Sequence, residues 1–419
     1  MDQILTAEQL ALREEVREVV NAIPRQYILD VADEKVKYPI EFMKALGKKN
    51  LLGIRVPKKY GGRGLSWEEQ IIVSEECGVP GLIFGCASGV TGNVVPEAIG
   101  SFGSHAQKEK YLARICAGEI FAAECLTEPR GGSDFFGSTC FAKQDGDDWI
   151  INGQKRFIVG GEGADIFLTY AKTNPEGDSR NSMTCFIVER EMGVKTDYLY
   201  GLMGARGGGT ARVVFENCRV PKENVIGEVN GAYPIFYQMM IPERMGTSAM
   251  TIGATKPALD IATDYTTKRK AFGSVISRYQ GVSFKIADAA IKLDACRGFQ
   301  RTVAQIIDKD LAANGVNSGY VRRLCTEVKK FTSENMFDVA NICMQVMGGI
   351  GYTEVYPIER ICRDLRLAMI WVGSNEVMQL IIQSEWYRER KAELKNGTTK
   401  RNTLLDCHGA FDEAEFIYE

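Results

Sequence analysis

The sequence predicts a mostly helical α+β fold: a helical N-terminal domain over residues 1–120, a middle antiparallel β domain over 121–230, a helical bundle over 231–390, and a surface tail at 391–419. Three observations predict it. Apolar residues in the first and last thirds recur with helical period, whereas the middle third alternates with period two and is punctuated by Asp-Gly and Asn-Gly pairs. The α–β–α order with long C-terminal helices suits a bundle carrying an inserted sheet domain.

The elements follow in order. Thr6 and Gln9 make a capping-box pattern, followed by Leu12, Val16 and Val19 at helical spacing. "YPIEFMKALGKKNLLGIRVPKKYGG" reads as a helix closed by glycine, then a loop rich in Lys, Gly and Pro. In "STCFAKQDGDDWIINGQKRFIVGG" the pairs Asp145-Gly146 and Asn152-Gly153 are expected at tight hairpin turns, where both central residues need positive φ. "SMTCFIVER" and "ARVVFENCRV" add strands. Beyond them, "QGVSFKIADAAIKLDACRGFQRTVAQIIDK" is a long amphipathic helix, and Val321, Leu324, Cys325, Val328 and Phe331 share one face of another. The polar, irregular tail has an aromatic end.

Bulk properties exclude several classes. The chain has 419 residues, 45% hydrophobic and 25% charged, with a net charge of −3, so it carries no electrostatic footprint for nucleic acid or an anionic membrane. No apolar run is expected to span a bilayer. The N-terminus lacks the layout of a signal peptide, which makes a cytoplasmic location the expectation. Twelve scattered cysteines without a C-x-x-C pair read as reduced core residues. With only His105 and His408 as histidines, no zinc or other metal site and no His-based nucleophile triad is expected.

"CLTEPRGGSD", residues 125–134, joins the helical zone to the first strands. Its glycines and its Ser and Thr donors can bring backbone N–H groups close to a ligand's phosphate or ring. No G-x-G-x-x-G follows a strand and no Walker A motif exists. With "IINGQKRFIVGG", "TKRKAFG…YQGVSF" and "QVMGGIGYTEVYPIERICRDLRLAMIWVGSNEVMQ", these segments occur in the order and spacing of one family, over residues 1–390. The chain resembles the acyl-CoA dehydrogenase flavoproteins.

The resemblance implies a C-terminal four-helix bundle, a homotetramer, noncovalent FAD, an acyl-CoA substrate, and electrons leaving to an electron-transferring flavoprotein. Leu126, Thr127, Gly132 and Ser133 match positions lining FAD, and Ser133 also faces the CoA side. Phe157 and Val159 match the aromatic and threonine positions beside the isoalloxazine. Val159 lacks the hydroxyl usual there. Arg269, Phe272, Gln280, Gln345, Gly348 and Gly349 match contacts to the dinucleotide half across a subunit interface. Ser374 and Glu376 match flavin contacts after the catalytic loop, Arg244 an arginine near the active site, and Val372 with Gly373 the loop at the thioester. The position near Gly85 offers no arginine for a second carboxylate on the acyl group.

Val372 stands where the family most often has its catalytic glutamate, and valine does no acid–base chemistry. Some relatives place the glutamate on the long helix after the β domain, and Glu243, between Pro242 and Arg244, matches that place. Pro242 is expected in that helix's first turn, among methionines that provide apolar surroundings. Glu97 is the next candidate base, and Asp134 reads as a turn or cap residue. Three functions remain in view: α,β-dehydrogenation of an acyl-CoA with Glu243 as base, enoyl-CoA reduction by the same site, and a non-catalytic flavin-binding homologue.

Overall fold

In the computed structural model of the chain, residues 2–314 and 318–396 are described. The N-terminal region consists of α1 (Ala7–Asn21), α2 (Arg25–Ala32), α3 (Ile40–Lys48), α4 (Trp67–Gly78), α5 (Leu82–Gly89), α6 (Val95–Phe102) and α7 (His105–Cys116). Thr6 and Gln9 form the capping box that starts α1, and Leu12, Val16 and Val19 are buried beneath it. Gly47 does not close α3 but lies inside it. A Cβ there would stand 2.5 Å from the Ala117 carbonyl oxygen, so the glycine permits a close helix approach.

Helices α5 and α6 are joined by a π-turn over Val90–Val94. Pro96, without an N–H, stands in the first turn of α6. Contrary to the sequence expectation, Leu82–Phe102 is apolar and long enough to cross a membrane, but 83% of its apolar window is buried inside the protein. Core packing accounts for that composition.

The middle region holds β1 (Ala122–Cys125), β2 (Phe141–Asp145), β3 (Asp148–Ile158), β4 (Ile166–Lys172), β5 (Met183–Glu189), β6 (Val194–Leu199), β7 (Ala211–Val220) and β8 (Val225–Ile226) in one eight-stranded sheet. The sheet is mixed rather than purely antiparallel, because β1 and β2 both pair with β4 in parallel. The hairpin between β2 and β3 turns on Gly146 and Asp147, one residue later than expected. Asn152-Gly153 is not a turn. It sits within β3 at a bulge against β7, and a Cβ on Gly153 would lie 2.7 Å from Cys140 Cα.

The chain then enters α8 (Ala232–Lys268), a small hairpin of β9 (Lys270–Ala271) and β10 (Ser274–Val275), and helices α9 (Gln280–Asn314), α10 (Gly319–Met347), α11 (Ile358–Leu367) and α12 (Asn375–Asn396). Helix α10 packs on α8, α9 and α12, forming the four-helix bundle. Val321, Leu324, Cys325 and Val328 are buried in it, whereas Phe331 is 40% exposed and meets Phe299 edge-on. Pro242 lies in the interior of α8, not its first turn. Residues 391–396, expected in the tail, continue α12, and the remainder of the tail lies outside the described residues. Ten of the eleven described cysteines are buried, and all eleven are free thiols.

Candidate active site

A cavity of about 1640 Å³ opens where the three regions meet. Small-ligand pockets usually span about 300–1,000 Å³, so this one has room for a large ligand or two together. Its walls come from α5 and the π-turn (Cys86, Gly89, Val90, Val94), the 126–136 loop, the end of β3, the first half of α8, and the 370–374 loop. Arg180, Arg322, Arg363, Arg366 and Arg388 also line it, with Arg322 and Arg388 paired to Glu385 and Arg363 to Glu359, and guanidinium groups suit phosphates.

The 126–136 loop is anchored by a buried ion pair. Lys155 of β3 and Glu128 are both almost fully buried and 2.8 Å apart, and Lys155 also donates to the Leu126 carbonyl. Glu128 accepts the Cys140 backbone N–H at 3.0 Å as well. Burial alone would raise its carboxyl, but Lys155 and these donors hold it below the ordinary carboxylate range. Thr127 accepts the Arg156 backbone N–H, which ties the loop to β3. Leu126, Thr127, Gly132 and Ser133 thereby all reach the cavity. Nothing lies within 4 Å of where a Cβ on Gly132 would stand, so its backbone is open to a ligand. Phe157 and Val159 line the same wall, and Phe157, at φ 57°, stays 55% exposed with its ring 4.6 Å from that of Tyr200.

The 370–374 loop keeps an unusual backbone. Val372 has φ 57° and Gly373 φ 82°. A β-branched residue in the left-handed region is strained, so its surroundings must hold it there. Fully buried Lys329 does so by donating to the Gly373 carbonyl at 2.8 Å and to Asn375 Oδ1 at 2.9 Å. Burial, then the charge of Arg244, lowers the Lys329 ammonium to about 7. The Asn375 backbone N–H closes the turn on Met369. Val372, Gly373 and Ser374 face the cavity.

Glu243, half-buried on α8, lines the same cavity, as does Arg244. Arg244 is 4% exposed and donates to Thr326 Oγ1 at 2.9 Å. Burial lowers its guanidinium to about 10, which still leaves it cationic at neutral pH. Its Nε and the Nε1 of Trp371 are buried donors without a partner in the chain. Such orphan donors, the open Gly132 backbone and the exposed Phe157 ring fit a planar polar cofactor such as a flavin.

Two alternative carboxylates are placed differently. Glu97 is buried against Arg55 at 2.7 Å and also takes hydrogen bonds from Gln238 and Ser101, so it is occupied as an ion-pair partner. Burial alone would raise its carboxyl, but Arg55 and these donors hold it below its ordinary value. Asp134 also lines the cavity, at the N-terminus of a short 3-10 helix over Phe135–Gly137, without a side-chain capping bond.

Arg269, Phe272, Gln280, Gln345, Gly348, Gly349 and Glu376 are not brought to the cavity and lie exposed on the bundle. Phe272, at φ 48° and 96% exposed, caps the β9–β10 hairpin.

Sequence reasoning missed Lys329, the Glu128–Lys155 pair and Glu124. Glu124 lies in β1, where all four residues are buried, and lines the cavity beside Glu243. A lone charge in the apolar run "FAAECL" was the available signal.

Comparisons with known proteins agree with this architecture. Residues 6–119, 123–218 and 232–386 match the family models for the acyl-CoA dehydrogenase N-terminal, middle and C-terminal domains. An acyl-CoA dehydrogenase of Bacillus subtilis is 33% identical, covering 90% of this chain and 97% of its own. The acryloyl-CoA reductase (NADH) of Anaerotignum propionicum is 31% identical over 92% of this chain and 96% of its own.

Among solved structures, butyryl-CoA dehydrogenase from Megasphaera elsdenii superposes with a TM-score of 0.85 at 27% identity, covering 92% of this chain and 100% of that one. A chain from work on the electron transferring flavoprotein of Acidaminococcus fermentans has the same TM-score at 30% identity, covering 91% of this chain and 98% of that one. With all three regions matched in order and the cavity formed where they meet, the chain belongs to the acyl-CoA dehydrogenase family, whose enzymes use FAD.

Proposed function

We propose that the protein dehydrogenates an acyl-CoA thioester between its α and β carbons, with Glu243 accepting the α-proton. The observation that carries this reading is that Glu243 and the Val372 loop line one cavity. Where the loop supplies no acid–base group, Glu243 provides a carboxylate. Removal of an α-proton beside a thioester needs such a base in surroundings that exclude water. Bound FAD supplies the acceptor for the hydride that leaves the β carbon. Leu126, Thr127, Gly132, Ser133, Phe157, Val159 and Ser374 would hold it within the chain. Val372 keeps a backbone N–H available to the thioester oxygen, a role for which its side chain is irrelevant. Arg244 and Ser133 would contact the substrate side, and the cavity's arginines suit CoA phosphates.

The exposed set at Arg269, Phe272, Gln280, Gln345, Gly348 and Gly349 would serve FAD bound by a neighbouring subunit of a homotetramer. An electron-transferring flavoprotein is the electron acceptor in this reading, supported by the similar chain from work on such a protein. The acryloyl-CoA reductase among the relatives favours a second reading, in which the same site runs as an enoyl-CoA reductase. Proton and hydride sites are identical in both directions.

Anaerobic mixing of the FAD-loaded protein with a panel of acyl-CoAs tests the proposal. At least one saturated thioester should bleach the flavin. An FAD-saturated protein that no acyl-CoA reduces, and whose reduced form no enoyl-CoA reoxidises, would instead be a non-catalytic homologue.

A further inference from the structure

Glu124 and Glu243 come from different regions, one from β1 and one from α8, yet both line the same cavity wall, and the Glu243 carboxyl acts on that of Glu124 there. Two carboxylates side by side only accept, so a hydrogen bond between them needs a proton on one. The burial of Glu124 points to it as the holder. Glu124 is 9% exposed, its Oε1 accepts from the Tyr170 hydroxyl at 3.3 Å, and its Oε2 is buried with no donor directed at it. A bare, buried carboxylate oxygen is costly, whereas a protonated Oε2 is a donor with Glu243 as its acceptor.

We propose that Glu124 and Glu243 form a dyad sharing one proton, in which Glu124 holds the proton and donates it in a hydrogen bond to the Glu243 carboxylate. Glu124 is then a positioning residue that keeps the Glu243 carboxylate oriented. The dyad role rests on Glu243 being the base. In the reaction, the substrate's α C–H bond breaks and its proton goes to Glu243. The bonding pair stays on the substrate, and bound FAD would supply the acceptor for the hydride that leaves the β carbon. Glu124 keeps its own proton throughout, and the proton gained by Glu243 leaves to solvent with product release.

The surroundings of Glu124 offer it no cation. Tyr170 faces it from β4, Cys185 lies nearby on β5, and Cys125 follows it along β1. Cys86 of α5 faces Glu243, and Arg244 follows Glu243 on α8. Lys155 of β3 is engaged with Glu128. Burial, then the nearby Glu243 carboxyl, pushes the Glu124 carboxyl well above the ordinary range, with the Tyr170 hydroxyl opposing.

The test combines infrared spectroscopy with the pH profile of flavin reduction, both on the FAD-loaded protein. At neutral pH the wild type should show the carbonyl band of a protonated, buried carboxyl, lost in Glu124→Gln and retained in Glu243→Gln. Flavin reduction in the wild type should show an inflection at high pH as Glu124 loses its proton. Glu124→Gln should lose that inflection, with a rate at neutral pH within about tenfold of the parent. Glu124→Asp should restore it at a shifted position, and it serves alone if the glutamine variant does not fold. An unchanged band and an unchanged inflection in Glu124→Gln would overturn the dyad. So would loss of reduction at every pH as complete as in Glu243→Gln, which would make Glu124 the base. Parent-rate reduction by Glu243→Gln would remove the base assignment itself, a result separable from the infrared outcome.

Discussion

Replacing Lys329 with methionine should separate stability from activity. The ammonium is fully buried, and burial lowers it to about 7, from about 10.5 in an unfolded chain. Between those values the unfolded state binds one more proton than the folded state, so stability rises with pH. Below pH 7 the penalty for holding the charge inside is complete, and above pH 10.5 it is gone. The slope is about 1.4 kcal/mol per pH unit, or about 2–3 kcal/mol between pH 7.5 and 9.5. Lys329→Met abolishes this contribution. Urea unfolding of both proteins at the two pH values should show the wild type gaining that amount relative to the variant. Activity should move the other way at neutral pH. The variant loses the two bonds that hold Gly373 and Asn375, so the strained Val372 turn is released and flavin reduction slows. A stability difference that stays constant with pH, or a variant with the parent's reduction rate, would refute the reasoning.

Asp364 offers the opposite sign. Burial raises its carboxyl to about 6 despite the Ala205 N–H bond, so its contribution to stability is full below about pH 4 and is lost as pH rises through 6. Asp364→Asn keeps the acceptor and should flatten that fall, making thermal unfolding at pH 7 more favourable to the variant than at pH 4.5. Glu97→Gln strands Arg55 in a buried pair and should cost about 3 kcal/mol in urea unfolding while leaving flavin reduction near the parent rate. Phe272→Ser alters a side chain 96% exposed in the single chain. If the proposed tetramer forms through this face, the effect is roughly tenfold weaker FAD retention and subunit association with unchanged secondary structure by circular dichroism.

Much of the fold was legible because periodicity is a local property. The capping box at Thr6 and Gln9 and the buried stripe of α10 stand where the spacing puts them. What was not legible depended on distant neighbours. Gly153 carries the same mark as a turn glycine, but the close approach of Cys140 demands it. Pro242 looks like a first-turn proline, yet packing of α8 against its neighbours carries the helix through it. The parallel pairing of β1 and β2 with β4 leaves no trace in local alternation. In the site, resemblance singled out both Glu243 and the Val372 loop, and both line the cavity. Glu124 became visible only when β1 and α8 met, because nothing local to residue 124 announces a partner 119 positions away.

The central claim, that the base has moved from the loop to α8, is tested most directly by the rate of flavin reduction in Glu243→Gln. Using an acyl-CoA that reduces the parent protein, stopped-flow absorbance under anaerobic conditions isolates the chemical step. Removing a general base typically costs about a hundred- to ten-thousand-fold. The account predicts a variant that retains FAD and binds the thioester but reduces its flavin at least about a hundredfold more slowly. Reduction at the parent rate would contradict it.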